Sequence, residues 1–260
     1  MIGVFDSGLG GLSVLAAIAR ALPQADLTYL ADTAHVPYGD KHDDFIRGRV
    51  LTIGRYLVAQ NCRMLVVACN TATAHAVAEL RHQHPGIPVV GVEPGVKPAA
   101  QTTRSGHIAV LATEATARSQ RLQHLIRDHA ANITVHVQAC PGWATRVETL
   151  NLDGAEFAAE IRTKVQPLLD AGVDRIVLGC THYSFLTPTL QPLIAGRAEL
   201  VDVADAVARQ VVRLGGEREG HGQLQLLASA RPERLYAALP ALGLGWLAAR
   251  ATGPAQHAIV

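Results

Sequence analysis

Short apolar runs alternate with helical patterns along nearly the whole chain, and this alternation constrains the fold more than any other feature. The runs have the four to six residues of a buried strand and lie at 2–5, 27–31, 64–68, 87–92, 107–112, 133–137, 175–179 and 200–204. Segments between them, such as 11–22 and 157–172, have the apolar spacing of helices. Strands that alternate with helices predict an α/β fold with parallel sheets and crossover helices.

A weak internal repeat divides the chain into two halves. Residues 2–13 align with 108–119, and residues 65–72 align with 176–183. The repeat predicts two similar α/β domains with largely parallel sheets, which face each other across a central cleft with pseudo-twofold symmetry. Pro and Gly residues interrupt the pattern at 91–100. We therefore place the first domain at 1–93 plus 204–260, the second at 94–203 and the active site between them.

Composition and charge exclude several classes of function. The chain has 260 residues, 49% of them hydrophobic and 17% charged, as in compact globular proteins. Its 23 basic and 22 acidic residues nearly cancel, so neither nucleic acid nor a membrane surface is an expected partner. The N-terminus has no basic signal-peptide region, and the apolar tract at 235–249 is too short and too rich in Pro and Gly to span a bilayer. We expect a cytoplasmic protein.

The four cysteines are widely spaced and form no CxxC pair, so the sequence predicts neither a disulfide framework nor a zinc knuckle. The twelve histidines are scattered, and we predict no metal site. A cysteine that ends an apolar run is most often a small buried hydrophobe. This is the interpretation we give to Cys62 and Cys140.

Polar side chains follow several of the predicted strands, at the edge of the sheet where α/β proteins bind ligands. These residues are Asp6, Ser7, Cys69, Asn70, Thr71, Thr113, Cys180, Thr181 and His182. Hydroxyls and backbone N–H groups at helix starts suit a carboxylate or another anion. A small acid is therefore the expected ligand.

Some of these residues, and two whole segments, also have structural interpretations. Asp6 and Ser7 can cap the following helix, and His182 can be a core histidine. The glycines of "DSGLGG" (6–11) lack the spacing of a nucleotide loop, so we expect them to let backbone approach a small ligand. The segment 31–41, "ADTAHVPYGDK", is either a surface loop or a wall of the site that offers Tyr38 and backbone groups to a substrate.

Cys69 and Cys180 occupy equivalent places in the two halves, and polar residues follow both. One thiol on each side of a cleft can remove a proton from one face of a carbon atom while the other delivers a proton to the opposite face. A free thiol is only a few per cent ionised at neutral pH, a deficit of roughly 2 kcal/mol that polar neighbours can remove. Asp6 and His182 are the candidate neighbours, and the reaction class is racemisation or epimerisation next to a carboxylate.

Seven motifs make nearly the whole chain resemble the glutamate racemases of the cofactor-independent aspartate/glutamate racemase superfamily. They are "GVFDSGLGGLSV", "YLADTAHVPYGDK", "VVACNTATA", "GVEPGVKPA", "ATEATARS", "CPGWATRVE" and "VLGCTHY". The resemblance implies interconversion of L- and D-glutamate, which supplies the D-enantiomer for peptidoglycan. It also implies a cytoplasmic homodimer that uses no cofactor such as pyridoxal phosphate.

The resemblance further implies roles for individual residues. Cys69 is the implied acid/base for the D-enantiomer and Cys180 for the L-enantiomer. Asp6 and His182 correspond to assisting groups, and Glu148 to a further carboxylate near the second thiol. The positions that correspond to binding of the substrate's amino and carboxylate groups are Ser7, Pro37, Tyr38, Gly39, Asn70, Thr71 and Thr181, with Thr113 and Thr116 as additional members.

Alternative functions remain open from sequence. A sister racemase for aspartate, a hydantoin or another small amino acid keeps both thiols but needs a different pocket, and the "VPYG" loop favours glutamate. A partner-binding protein is the second alternative, because some glutamate racemases also inhibit DNA gyrase, although nothing in this sequence points to gyrase. A nucleotide-binding α/β protein is the third.

Overall fold

A computed structural model of the chain describes residues 1–215 and 220–260, which form two β-sheets with helices on both faces. The strands are β1 (Ile2–Asp6), β2 (Leu27–Ala31), β3 (Met64–Val67), β4 (Val89–Gly91), β5 (His107–Ala112), β6 (Thr134–Ala139), β7 (Arg175–Leu178), β8 (Glu199–Val201), β9 (Leu224–Ala228) and β10 (Gln256–His257). The first sheet has the order β10-β9-β2-β1-β3-β4, and the second has the order β6-β5-β7-β8. Neighbouring strands pair in parallel in both sheets.

The helices connect successive parallel strands. They are α1 (Leu12–Ala21), α2 (Asp43–Ala59), α3 (Asn70–Gln83), α4 (Val96–Thr102), α5 (Glu114–Arg118), α6 (Gln120–His129), α7 (Trp143–Glu148), α8 (Ala155–Asp170), α9 (Thr187–Ile194), α10 (Ala204–Arg213), α11 (Pro232–Ala241) and α12 (Gly245–Ala248). Two short 3-10 helices, Tyr38–Asp40 and Thr181–Leu186, follow β2 and β7. Both lie at the strand ends where the site residues were predicted.

The two sheets share one strand order over four strands. The order β2-β1-β3-β4 in the first sheet corresponds to β6-β5-β7-β8 in the second. One pair of aligned sequence segments contains β1 and β5, and the other contains β3 and β7. The repeat therefore relates β1 to β5 and β3 to β7, which are the two inner strands of the shared four-strand order. The predicted α/β class and its two similar units are confirmed.

The strand runs predicted from sequence are confirmed, with end positions that differ by at most three residues. The prediction omitted β9 and β10, which extend the first sheet beyond β2. Strand β9 has five residues, as many as β1 and β2, and lies in a part of the chain that the sequence assigns only as a return to the first half. Strand β10 is two exposed residues, and its parallel pairing with β9 gives it its strand conformation.

Each sheet is covered on both faces by apolar side chains. In the first sheet one face packs against α1, α10 and α11, and the other face packs against α2 and α3. In the second sheet α7, α8 and α9 cover one face, and α4 and α6 cover the other. Parallel strands buried on both faces read as continuous apolar runs, which explains why they were visible in the sequence. Across residues 1–215 and 220–260, no helix is both long and apolar enough to cross a bilayer.

Candidate active site

The cleft between the sheets brings two cysteines from equivalent strand ends to one place. Cys69 follows β3 and immediately precedes α3, and Cys180 follows β7 and immediately precedes the 3-10 helix Thr181–Leu186. Both thiols are buried, with 5% and 6% of the residue exposed. The two groups are close enough for the charge of Cys180 to raise the pKa of Cys69.

Cys69 lies among polar groups of the first sheet. Its Sγ accepts a hydrogen bond from Ala72 N–H (3.5 Å) and lies 3.9 Å from Ser7 Oγ, to which the thiol donates. Burial raises the pKa of the Cys69 thiol well above its ordinary value, and the nearby Asp6 carboxylate raises it further. Burial also raises the pKa of Asp6, an effect that the positive charge of His182 partly opposes. At neutral pH Cys69 is therefore a thiol beside a carboxyl group that can exchange protons with it.

Cys180 has a different partner. His182 Nδ1 lies 3.6 Å from Cys180 Sγ, and His182 Nε2 lies 2.6 Å from Glu148 Oε1. Burial alone would lower the pKa of His182, but Cys180 and Glu148 together raise it well above the ordinary value. A protonated imidazole donates through both nitrogens, so it can stabilise a Cys180 thiolate while it is held by Glu148.

The glycine-rich turn after β1 permits this arrangement because it passes close to the second half. A Cβ atom at Gly8 would collide with the Glu148 carboxylate, and one at Gly10 would collide with the His182 ring. The backbone N–H of Leu9 donates to Glu148 Oε1 (2.6 Å). Backbone therefore passes closely at these glycines, and its partners in the structure are His182 and Glu148 of the chain itself. The expected approach of a small ligand stays a prediction.

Asp6 combines the two interpretations that the sequence left open. Its Oδ2 accepts hydrogen bonds from Gly8 N–H (3.1 Å) and Gly11 N–H (3.0 Å), so it does organise the turn before α1. Its Oδ1 is buried and has no hydrogen-bond partner among the described residues. A buried acceptor without a partner is costly, which is typical of an atom whose partner is a ligand.

A cluster of three buried hydroxyl groups joins the two halves. Thr71 Oγ1, at the start of α3, lies 3.0 Å from Thr113 Oγ1 and 3.3 Å from Thr116 Oγ1, and the last two are 3.1 Å apart. Thr113 also caps α5 by accepting from the Thr116 backbone N–H. Hydroxyl groups can donate to a carboxylate, so the cluster can bind an acid.

The remaining predicted residues lie at the same strand ends. Asn70 is buried, and neither its amide nitrogen nor its amide oxygen has a hydrogen-bond partner within the described ranges. Thr181 is buried at the start of the 3-10 helix, and its carbonyl accepts from Ser13 Oγ (3.4 Å). This contact is a further link between the two halves, beside the one from Leu9 to Glu148 and the hydroxyl cluster.

The segment 31–41 is a wall of the site rather than an exposed surface loop. Tyr38 and Gly39 are buried, and a Cβ atom at Gly39 would lie only 2.8 Å from Thr113 Cβ. Pro37 lines both a cavity of about 540 Å³ that also contacts Glu148 and a cavity of about 270 Å³ that also contacts Thr113. The Tyr38 hydroxyl donates to Asp32 (2.6 Å), so it is already engaged by the protein.

Two residues that shape the site were not singled out from sequence. Tyr29 is fully buried in β2, and its hydroxyl donates to the Gly8 carbonyl (2.6 Å), which fixes the glycine-rich turn. Asp32 directly follows β2, and Asp6 is the last residue of β1; this similar position at a strand end was the available signal. As for metals, the described part of the chain brings together no three His, Cys, Asp or Glu side chains that could hold an ion.

The sequence profile of the Asp/Glu/hydantoin racemases matches residues 2–211, which is most of the chain. The chain belongs to this racemase family. It is 44% identical over 245 residues to the glutamate racemase of Stutzerimonas stutzeri, a match that covers 93% of each protein.

Solved structures of the family agree with the fold. The Bacillus anthracis glutamate racemase isoform RacE1 superposes with a TM-score of 0.87 at 26% identity, over 100% of this chain and 97% of that one. The Escherichia coli glutamate racemase, solved with L-glutamate and the activator UDP-MurNAc-ala, superposes with a TM-score of 0.84 at 30% identity, over 93% of this chain and 94% of that one. The match thus spans both halves of this racemase-family chain and the cleft between them.

Proposed function

We propose that this protein is a glutamate racemase that transfers protons between the α carbon of glutamate and two thiols, Cys69 and Cys180. The observation that supports this most directly is the pair of buried thiols at equivalent strand ends, each with its own proton-exchanging neighbour. The glutamate racemases among its relatives support the choice of substrate. A sister activity on aspartate needs no separate proposal, because no observation favours it.

The reaction needs no net change in atoms or electrons. One thiolate removes the α hydrogen as a proton, and the electron pair of the C–H bond stays on the α carbon. The thiol on the opposite face then donates its proton to that carbon, and its S–H electron pair remains on sulfur. Cys180 is the proposed base for L-glutamate and Cys69 for D-glutamate, so each turnover exchanges which sulfur carries the proton.

The neighbouring groups prepare the two sulfurs for these roles. The protonated His182 stabilises the Cys180 thiolate, and Glu148 holds that charge on the imidazole. Asp6 accepts or returns the Cys69 proton on the other side. Positive and hydrogen-bonding groups in a buried site also lower the energy of the carbanion, since charge is stabilised more strongly away from water.

We assign substrate binding to the polar residues of the strand ends. The buried amide of Asn70 and the hydroxyls of the Thr71, Thr113 and Thr116 cluster are suited to the amino and carboxylate groups of glutamate. Further proposed contacts come from Ser7, Pro37, Tyr38, Gly39 and Thr181.

Several wider expectations remain part of the proposal. The family resemblance supports a homodimer in the cytoplasm that supplies D-glutamate for peptidoglycan without pyridoxal phosphate. The only lysines are Lys41, Lys97 and Lys164, and none follows a central strand at the cleft. The division into domains 1–93 plus 204–260 and 94–203 is likewise proposed, supported by strands β1–β4, β9 and β10 in one sheet and β5–β8 in the other.

The decisive experiment follows the circular dichroism of L- and D-glutamate incubated with reduced protein and no added cofactor. We expect the wild type to remove the signal of either enantiomer, and Cys69→Ala and Cys180→Ala each to abolish this change. Cys62→Ala is the matched control, since Cys62 is also a buried cysteine but packs beneath the first sheet against α2. It should retain activity.

Two outcomes would redirect the assignment. If folded wild type leaves both glutamate signals unchanged but racemises aspartate, the substrate proposal is wrong and the two-thiol chemistry stands. If it racemises neither, binding to purified DNA gyrase and to nucleotides, measured by calorimetry, would test the non-enzymatic alternatives.

A further inference from the structure

A buried group of polar side chains lies behind the wall of the site and has no part in the proton transfers. Asp32 is fully buried where the chain leaves β2. Its carboxylate accepts hydrogen bonds from the Tyr38 hydroxyl (2.6 Å), from Arg49 Nε (2.9 Å) and from Arg49 Nη2 (2.9 Å). We name Asp32, Tyr38 and Arg49 the wall cluster.

Arg49 anchors this cluster to helix α2. Its guanidinium binds the Asp32 carboxylate through two nitrogens, and its third nitrogen, Nη1, donates to the Val260 carbonyl (3.1 Å). The side chain is mostly buried, with 14% exposed. A bidentate contact of this kind fixes both the distance and the orientation of the carboxylate, whereas a single contact from a lysine does not.

The cluster holds Asp32 in its charged form. Burial would raise the pKa of Asp32, but the hydrogen bonds from Arg49 and Tyr38 outweigh burial and lower it below its ordinary value. An ionised carboxylate is a stronger acceptor than a neutral one, so the Tyr38 hydroxyl is bound tightly. Tyr38 in turn begins the short helix that forms the wall.

The residues around Tyr38 connect the wall to both halves of the site. The Tyr38 ring packs in the same apolar cluster as Cys69, and the adjacent Gly39 approaches Thr113 of the hydroxyl cluster. Just before residue 36, Ala34 N–H donates to Ser229 Oγ (3.0 Å), Thr33 pairs with the Ala230 backbone, and the His35 ring contacts the Phe45 ring. Within residues 36–39, the Tyr38 hydroxyl donates the side-chain hydrogen bond that joins the wall to Asp32.

We propose that Asp32 and Arg49 are positioning residues that act through the Tyr38 hydroxyl to hold residues 36–39 against the substrate. This inference rests on the proposed racemase function. Neither Asp32 nor Arg49 contacts a catalytic thiol, so the cluster affects how well glutamate is bound and not how fast bound glutamate exchanges its proton. Loss of binding that is equal in the ground and transition states raises KM and leaves kcat unchanged.

The test compares steady-state kinetics of Tyr38→Phe, Arg49→Lys and Asp32→Asn with the wild type. Tyr38→Phe keeps the buried ring and removes only the hydroxyl, so the variant should fold normally. We expect its KM for both enantiomers to rise about tenfold with kcat within about twofold, the effect of losing one hydrogen bond to a charged group. Arg49→Lys should raise KM by a smaller factor, because lysine keeps the positive charge but cannot make the bidentate contact.

Asp170→Asn is the matched control. It removes an aspartate that pairs with Arg197 on the exposed surface, so its KM and kcat should equal those of the wild type. Glutamate dissociation constants measured by calorimetry in a Cys180→Ser background will separate binding from chemistry. They should rise by the same factor as KM when Tyr38→Phe is added.

A KM that stays at the wild-type value in Tyr38→Phe would overturn the positioning role, whether or not kcat falls. The positioning role would also be overturned if Asp32→Asn and Arg49→Lys changed only the unfolding temperature and left KM unchanged, since that result indicates a purely structural cluster. A wild type that does not racemise glutamate would overturn the proposed function instead. The two failures are therefore distinguishable.

Discussion

The two thiols of the cleft have unequal electrostatic surroundings, although they follow equivalent strands. Cys69 is beside a carboxyl group, and its pKa is raised by burial and by Asp6. Cys180 is beside His182, whose pKa is raised by Cys180 and Glu148 despite burial. The raised pKa of Cys69 suits the proton-donor role that the proposed mechanism gives this thiol when L-glutamate is the substrate.

Glu148→Gln tests the role of the carboxylate behind His182. Glutamine keeps the shape and an acceptor for Leu9 N–H, but it removes the negative charge that raises the pKa of His182. The imidazole will then lose its proton at a lower pH, so the alkaline limb of the profile of kcat/KM against pH should move to lower pH. We expect activity at pH 8 to fall by about 100-fold, the lower end of the usual range for general acid–base catalysis.

The controls for this variant follow from thermodynamics. Because the enantiomers have an equilibrium constant of one, kcat/KM must fall by the same factor for L- and D-glutamate. The exposed Glu156→Gln should not move the profile. The pH dependence of stability gives a second readout. Because the pKa of His182 is raised in the folded protein, its protonation stabilises the fold fully at pH values below the ordinary histidine pKa of about 6.5. This contribution is lost as the pH rises through the folded-state pKa. An unchanged pH profile would contradict the assignment.

Site residues differ in how far the sequence could predict them. Cys69, Cys180 and Asp6 follow central strands, so the rule that parallel strands end at one edge of a sheet located them. Glu148 could be assigned only by resemblance, because it lies at the end of α7 and reaches His182 across 34 residues of sequence. Asp32 was missed because its importance comes from Arg49, which lies 17 residues away on a different element.

At the scale of elements, helix α2 contains two glycines with opposite environments. Gly48 is exposed and an added Cβ atom would meet nothing within 4 Å, whereas a Cβ at Gly54 would collide with the buried Leu80 side chain of α3. The α2 and α3 helices pack together at this point. One helix therefore provides a matched pair of substitutions.

We predict that Gly48→Ala raises the free energy of unfolding by about 1 kcal/mol, since alanine has the higher helix propensity. Gly54→Ala has the same propensity gain but must displace Leu80, which costs about 1–3 kcal/mol in a packed core. The difference between the two variants in urea denaturation should thus be about 1–3 kcal/mol in favour of Gly48→Ala. Equal stabilities would mean that α2 and α3 are not in close contact near Leu80.

Strands could be predicted from sequence where burial in the sheet gives them a continuous apolar run. Strands β1, β3, β5 and β7 lie in the middle of their sheets, and their apolar runs were evident. The edge strands β4 and β8 were also found but are shorter in the structure than the apolar runs. Strand β10 has the sequence Gln256–His257, without an apolar pattern, and only its neighbour β9 makes it a strand.

At the scale of the whole molecule, glutamate should act as a link between the two halves. The proposed contacts come from both sheets, and polar contacts that include those of Leu9, Ser13 and Thr71 join the two halves at the cleft. A ligand that binds only the folded form stabilises that form by about 2.7 kcal/mol when its free concentration is 100 times its dissociation constant.

We therefore predict a rise in the unfolding temperature with glutamate concentration, together with one cooperative transition, measured by differential scanning calorimetry. Sodium chloride at equal ionic strength is the control and should give a smaller rise. If glutamate has no effect beyond that of salt, the ligand does not bind across the cleft of the folded protein.

The position of β9 between β2 and β10 has a consequence for how the protein is made on the ribosome. Strand β2 ends at Ala31, but its outer neighbour begins only at Leu224. At about 5–20 residues per second, translation of the roughly 200 residues between them takes about 10–40 s. The second sheet, from β5 to β8, is complete in sequence before β9 is synthesised. During this interval the nascent chain carries an unpaired β2 edge, and an unpaired strand edge is a template for pairing with another chain.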